Sequence, residues 1–167
     1  MIRPLIAMLA FCALLFLSGC SSTRYEYRYV RGKTATLSGG YASAPESAPA
    51  VVHAAIAAGN RIAGLPYCYG GGRCDGIDSG YDCSGAASYV LREAGLLRGC
   101  ETSSGFRSYG SRGLGKWISI YAKSGHVFLV VAGLRFDTGW HDCNEGPRWT
   151  TQSRPASHYS IRHPSGL

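Results

Sequence analysis

Cys83 combines a reactive side chain with a position that favours nucleophilic chemistry. It follows Asp82 and lies just ahead of the helical sequence AASYVLREAGLL. A thiol at the N-terminus of a helix faces unpaired backbone N–H groups and the positive end of the helix dipole, and both favour the thiolate over the thiol. The sequence therefore predicts Cys83 as a nucleophile. The alternative is an inert buried cysteine.

His126 is the candidate base for this nucleophile. It opens the apolar sequence HVFLVV, which has the length and composition of a buried strand. A histidine that enters a buried strand can take the proton of a cysteine and return it to a leaving group. The alternative is a core histidine whose hydrogen bonds are satisfied by its neighbours.

Two helices and four strands are predicted to position these two residues. Apolar side chains spaced by three and four indicate a helix over residues 48–63 and a second over residues 83–97, which begins at the nucleophile. Strand-like runs occupy residues 117–122, 127–132, 134–138 and 159–162, with a tight hairpin at 132–133. Loops rich in glycine fill residues 67–80 and 99–116. This order predicts an α+β domain in which the second helix packs on an antiparallel sheet.

The N-terminus has the pattern of a secretory signal. Arg3 precedes an apolar run that ends in Leu-Ser-Gly-Cys at residues 17–20, and this run is short for a hydrocarbon core of about 30 Å. The four residues resemble a bacterial lipobox, which implies that Cys20 is lipidated and becomes the mature N-terminus. Ser21, where that resemblance would put an aspartate for inner-membrane retention, implies the outer membrane, facing the periplasm. The alternative is an ordinary cleaved signal with an incidental cysteine.

The chain then divides into three segments. Residues 1–19 are the predicted signal peptide. Residues 20–47 are rich in Ser, Tyr, Arg, Gly and Pro without periodicity, which indicates a lipidated cysteine and a flexible tether. Residues 48–167 have the length of one domain, and the whole chain's apolar content of 46% with three tryptophans is enough to form an ordinary core.

The chain is basic, with a formal net charge of +7 at pH 7. A basic protein can bind nucleic acid, but an exported and anchored protein rarely meets any, so we expect no nucleic-acid partner. Anionic cell-wall polymer or anionic lipid headgroups are better matched to this charge. The alternative is a solvated basic face that only aids solubility.

The seven cysteines limit the redox and metal chemistry of the protein. Once Cys12 leaves with the signal and Cys20 and Cys83 are assigned, an even number remains. These are Cys68, Cys74, Cys100 and Cys143. In an oxidising compartment they allow three disulfide connectivities, of which the simplest joins the first two and the last two. None belongs to a Cys-x-x-Cys pair or another compact ligand spacing, so the sequence predicts neither a metal site nor a cofactor.

Three motifs occur in a fixed order along the chain: LPYCYGG at residues 65–71, DCSG at 82–85 and GHV at 125–127. Together they resemble the motifs of the NlpC-type cell-wall peptidases, which are papain-like. The resemblance covers about residues 50–140 and implies a papain-like fold with Cys83 as nucleophile and His126 as base. Members of that family cleave stem peptides of peptidoglycan, commonly between D-glutamate and the following diamino acid. The resemblance implies the same substrate here.

The third catalytic residue is where the chain departs from the family pattern. That pattern places His, Asn, Gln or Glu about twelve residues after the catalytic histidine to orient its ring. Here that position is Thr138, but the hairpin at 132–133 is shorter by one residue, which brings Asp137 to the expected place. A carboxylate accepts the imidazole N–H and stabilises the imidazolium, which a threonine does weakly. The sequence therefore predicts Asp137, with His141 on the following loop as the rival.

The resemblance also implies three substrate-binding residues. Tyr67 resembles the tyrosine that lines the family's cleft, and Asp82 and Ser84 resemble residues that bind the free amine of the stem peptide. The structural alternatives are aromatic core packing for Tyr67, a helix cap for Asp82, and packing or hydrogen bonding in the first helical turn for Ser84. The family usually has a Gly-Asp-Leu strand ahead of its histidine strand, and residues 116–121 contain no acid. Because of this departure, the resemblance predicts the class of reaction more firmly than it predicts the substrate.

These observations predict a lipid-anchored peptidoglycan endopeptidase of the cell envelope. Its expected partners are peptidoglycan stem peptides and, through the acyl chains, the membrane. Two other classes fit the same residues. One is a wall-binding scaffold lipoprotein that keeps the fold without efficient catalysis. The other is a cysteine amidase or acyltransferase that uses the same nucleophile and base on a different bond.

Overall fold

The computed structural model describes residues 24–73, 76–139 and 145–167. In these residues the helices are α1 (Ala50–Ile62), α2 (Cys83–Glu93) and a 3₁₀-helix (Gly105–Ser108). The strands are β1 (Arg24–Tyr25), β2 (Thr36–Ser38), β3 (Tyr41–Ser43), β4 (Ser111–Arg112), β5 (Ile118–Lys123), β6 (His126–Val131), β7 (Leu134–Asp137), β8 (Arg148–Thr150), β9 (Arg154–Pro155) and β10 (Ser160–His163). All pairs between these strands are antiparallel, so the predicted α+β class is confirmed.

Both predicted helices form, and local sequence explains where each begins and ends. α1 begins after Pro49, which has extended dihedral angles, and buries a face of alanine, valine and isoleucine. α2 begins at Cys83 because the Asp82 carboxylate accepts a hydrogen bond from the N–H of Gly85 at 2.6 Å. It ends at Glu93, earlier than the predicted residue 97, and the chain then turns at Gly95, whose φ is 72°.

A six-stranded sheet supports the two helices. Its strand order is β4-β10-β5-β6-β7-β8, so the three consecutive strands β5, β6 and β7 form a meander at its centre. The core between this sheet and the helices contains Val127, Leu129 and Val131 from β6 together with Ala86 and Val90 from α2. α2 therefore lies directly against the strand that begins with His126.

Side chains on the central strands alternate between the two faces of the sheet. Leu129 of β6 is paired with Phe136 of β7, and both belong to the core under the helices. Neighbouring side chains on a strand point to opposite faces. Phe128 and Asp137 therefore point to the face of the sheet away from the helices, and so does His126. The register of β6 and β7 thus brings His126 and Asp137 to one face.

Residues 24–47 pack on the domain, which differs from the flexible tether predicted for this segment. β1 pairs with β9, and Tyr25 is only 5% exposed. The Tyr25 hydroxyl donates a hydrogen bond of 2.9 Å to the carbonyl oxygen of Gly133. The β2–β3 hairpin is held by Asn60, whose side-chain amide bonds both backbone groups of Ala42. The segment shows no sequence periodicity because its strands have only two or three residues. Apolar side chains of these strands are nevertheless buried against the domain.

The remaining differences concern short elements. β4 and β8 form the two edges of the six-stranded sheet, and the 3₁₀-helix lies in the region predicted to be loop. Each has two to four residues, too few for an alternating or helical pattern to be visible in the sequence. Within the described residues, neither helix is long and apolar enough to cross a membrane.

Candidate active site

The thiol of Cys83 is held between the start of α2 and the central sheet. Cys83 is the first residue of α2, and its side chain is half-buried. The backbone N–H groups of Val127 and Ser84 face the sulfur and favour its charged form. Val127 belongs to β6 and directly follows His126.

Burial dominates the protonation of this thiol and raises the pKa of Cys83. The N–H of Val127 opposes this effect because it stabilises the thiolate, whereas the negative charge of Asp82 adds to it. The smaller effects of the Ser84 N–H and of the Asp137 charge oppose each other in the same way. The resting group is therefore a thiol. This differs from the thiolate expected from the helix N-terminus alone, because burial and two carboxylates outweigh the N–H donors.

His126 is hydrogen-bonded to Asp137. The distance between His126 Nε2 and Asp137 Oδ1 is 2.9 Å, and the two side chains are 16% and 1% exposed. The ring of Tyr159 lies edge-on to the imidazole, with 6.5 Å between the ring centroids. Because Nε2 is occupied by Asp137, Nδ1 is the ring nitrogen that remains for a reacting group.

Asp137 is the centre of a buried polar cluster. Its Oδ1 accepts a second hydrogen bond, from the backbone N–H of Thr138 at 2.9 Å. Its Oδ2 accepts a hydrogen bond of 2.5 Å from Nη1 of Arg154 and lies 3.5 Å from Nε of Arg135. Neither arginine was predicted from the sequence. Arg135 was the one signal, because it is a charged residue between two apolar residues of the predicted strand LRFD.

Three candidates for the third catalytic residue have different outcomes. Asp137 contacts His126 on the face of the sheet away from the helices. Residues 83, 137 and 138 also line a narrow cavity between α2 and the β6–β7 pair. The hydroxyl of Thr138 is buried and has no hydrogen-bond partner among the described residues, so it does not reach the imidazole. His141 lies outside the described residues.

Asp82 and Ser84 are engaged within the protein. Asp82 Oδ1 accepts hydrogen bonds from the Gly85 N–H and from the Ser84 hydroxyl, and Oδ2 accepts one from the N–H of Gly70. Asp82 and Ser84 are 5% and 6% exposed. These contacts correspond to the structural alternatives, a helix cap and a first-turn hydrogen bond. Oδ2 also lies 3.9 Å from the guanidinium of Arg73, whose positive charge partly neutralises the carboxylate.

Two motif glycines explain why the LPYCYGG loop sits so close to the nucleophile. A Cβ atom on Gly85 would lie 1.9 Å from the carbonyl oxygen of Gly71, well inside the contact distance of real atoms. Only glycine at position 85 therefore allows the loop to touch the first turn of α2. The N–H of Asp82 donates to the same Gly71 carbonyl at 3.4 Å.

The loop also brings two tyrosines to this end of the helix. Tyr67 is half-buried and forms a parallel β-bridge with Tyr81, which directly precedes the Asp82 cap. Tyr69 is 91% exposed although the N–H of the next residue, Gly70, is fixed to Asp82. An exposed aromatic ring on a fixed backbone can contact a ligand. Tyr69 was not predicted as a site residue from the sequence.

The remaining predicted residues fall partly outside the described chain. Cys68 and Cys100 are exposed free thiols, whereas Cys20, Cys74 and Cys143 lie outside the described residues. No group of three or more His, Cys, Asp or Glu in the described ranges is placed to hold a metal ion.

The site therefore contains a half-buried thiol, an imidazole one residue along from the thiol's backbone donor, and a buried carboxylate on that imidazole. These groups can perform nucleophilic attack, proton transfer and orientation of the base. A comparison of the chain with protein-family models, with curated proteins and with solved structures found no match.

Proposed function

We propose that this protein is a cysteine hydrolase of amide bonds, with Cys83 as nucleophile, His126 as general base and Asp137 as the residue that orients the base. The hydrogen bond of 2.9 Å between His126 Nε2 and Asp137 Oδ1 is the observation that carries the proposal. A buried carboxylate on a histidine, together with a thiol at the start of the helix that packs on the same strand, supplies the three groups of a catalytic triad.

Hydrolysis would follow a two-step route. His126 Nδ1 takes the proton of the Cys83 thiol while the sulfur attacks the carbonyl carbon, and the N–H of Cys83 at the open end of α2 donates to the oxyanion. The tetrahedral intermediate collapses, the imidazolium gives its proton to the departing amine, and a thioester remains. Water, deprotonated by His126, then attacks the thioester and releases the carboxylate product and the thiol.

For the substrate we propose a stem peptide of peptidoglycan, cut between D-glutamate and the following diamino acid, on a papain-like fold. The proposal rests on the three motifs that resemble NlpC-type peptidases. One feature supports it: Tyr69 is an exposed ring on the loop that is fixed to the start of α2. This ring offers an apolar surface to a peptide.

We further propose that acyl chains on Cys20 anchor the protein in the cell envelope, at the outer membrane and facing the periplasm. Because the chain is packed on the domain from residue 24, only the residues before it separate the domain from the anchor. Four extended residues span at most about 14 Å. Intact-mass measurement of the mature protein tests the anchor: acyl chains are expected on the wild type and absent from Cys20→Ser.

Digestion of purified peptidoglycan with mass analysis of the soluble products tests the activity. We expect fragments cut within the stem peptide from the wild type, and almost none from Cys83→Ala or His126→Ala. His163→Ala is the matched control, because His163 is half-buried on β10, away from Cys83, and contacts the backbone carbonyl of Gly113. Stem peptides released whole from the glycan would instead identify an amidase.

A wall-binding scaffold is the second candidate. The observation that favours it is the raised pKa of Cys83, which lowers the fraction of reactive thiolate at neutral pH. A scaffold would pull down with peptidoglycan yet release no product, and its binding would be unchanged in Cys83→Ala.

A further inference from the structure

The far side of Asp137 faces two arginines that hydrolysis as described above does not use. Arg154 donates to Oδ2 at 2.5 Å, and Nε of Arg135 lies 3.5 Å from the same oxygen. The Arg135 side chain is 0% exposed and that of Arg154 is 10% exposed. Burying two guanidinium groups against one carboxylate costs desolvation free energy. We therefore asked what function the cluster could serve.

Aromatic rings and a strand pair fix both guanidinium groups. The carbon of the Arg135 guanidinium lies 5.8 Å from the ring centroid of Tyr25 and 5.9 Å from that of Phe128. The guanidinium of Arg154 lies 5.4 Å from the Phe128 ring. The backbone of Arg154 pairs with Tyr25 through β9 and β1. The arginines therefore have little freedom to leave Asp137.

We propose that Arg154, with Arg135 beside it, is a positioning residue that sets the tautomer of His126 through Asp137. This inference rests on the proposed role of His126 as the base. Both oxygens of Asp137 accept hydrogen bonds, Oδ1 from the N–H of Thr138 and Oδ2 from Arg154, which is the pattern of a carboxylate that only accepts. The His126 Nε2 atom must then carry the ring proton, which leaves the lone pair on Nδ1 free to take the thiol proton.

Without the arginines the opposite arrangement becomes accessible. Arg154 holds Oδ2 of Asp137 in place, so its loss frees the carboxylate to rotate away from the ring. Nε2 then lacks a fixed acceptor, and the ring proton can sit on Nδ1 instead. A protonated Nδ1 cannot accept the proton of Cys83.

The ¹⁵N shifts of the histidine ring nitrogens test this directly in the purified protein at a pH where the ring is neutral. In the wild type we expect a single tautomer of His126, with the proton on Nε2. In Arg154→Gln we expect a mixture of tautomers and a fall in kcat of about ten- to hundredfold with little change in KM. Arg154→Lys keeps the positive charge but lacks the planar guanidinium group. It should therefore recover part of the single tautomer and part of kcat.

Arg162→Gln is the matched control. Arg162 donates to the backbone carbonyls of Ser108, Tyr109 and Gly110, so its loss should lower stability and leave the His126 tautomer unchanged. A single Nε2-protonated tautomer with unchanged kcat in folded Arg154→Gln would overturn the proposal.

The wild type provides a test that needs no variant to fold. A His126 ring protonated on Nδ1, or a mixture of tautomers, in the wild-type protein would also overturn the proposal. The measurement uses no substrate, so it is separate from the peptidoglycan assay. A protein that shows the single tautomer but digests no peptidoglycan would contradict the proposed substrate and leave this inference standing.

Discussion

The backbone N–H of Val127 faces the sulfur of Cys83 and favours its charged form. This contact joins two segments that lie far apart in the sequence, the start of α2 and the start of β6. Since the donor is a backbone group, the contact does not depend on the side chain of His126. We therefore expect His126→Ala to keep the thiol in place, so that the loss of activity in this variant reports chemistry rather than folding.

The protonation of Cys83 gives a prediction for pH. Because burial raises the pKa of Cys83, its alkylation by iodoacetamide should increase with pH to a midpoint above the ordinary pKa of a cysteine thiol. The raised pKa also means that the folded state holds the proton more tightly, so this contribution to stability is lost as pH rises through the folded pKa. Residue-resolved mass spectrometry measures the alkylation rate of Cys83, and a midpoint below that ordinary value would contradict the assignment.

Asp137→Asn should slow turnover far more than it weakens substrate binding. Asparagine keeps the size and one acceptor but loses the charge that stabilises the imidazolium, so kcat should fall about 10²- to 10⁴-fold. Thr138→Val is the control, since it removes a buried hydroxyl that bonds no described residue and should be nearly neutral. Steady-state kinetics with a stem peptide gives both constants. If His141→Ala is the more damaging change while both variants stay folded, the rival on the loop is the third residue.

Gly85→Ala tests the contact between the motif loop and α2. The added Cβ would lie 1.9 Å from the Gly71 carbonyl oxygen, so the loop must shift, and we expect a loss of about 1–3 kcal/mol of unfolding free energy. Gly40→Ala is the comparison, because its Cβ meets nothing within 4 Å and only its φ of 85° is unfavourable, at a cost of about 1 kcal/mol. Urea denaturation compares the two variants. Equal stability of Gly85→Ala and the wild type would show that the loop is not held there.

Local features of this protein were predictable from its sequence, and long-range contacts were not. The stripe of apolar residues that follows Cys83 defines α2, and the hairpin length selected Asp137 as the partner of His126. No local pattern pairs Tyr25 with Gly133, 108 residues away, or Arg154 with Asp137. The thiolate expectation failed for a related reason, since the burial that raises the pKa of Cys83 comes from residues distant in the sequence.

The most direct test of the account is the turnover of a peptidoglycan stem peptide by Cys83→Ala, His126→Ala and the double variant, each checked for folding by circular dichroism. If the thiol and the imidazole act as one catalytic unit, each single change removes nearly all hydrolysis and the double change costs little more than either alone. Retained turnover by folded Cys83→Ala would contradict the central claim that Cys83 is the nucleophile.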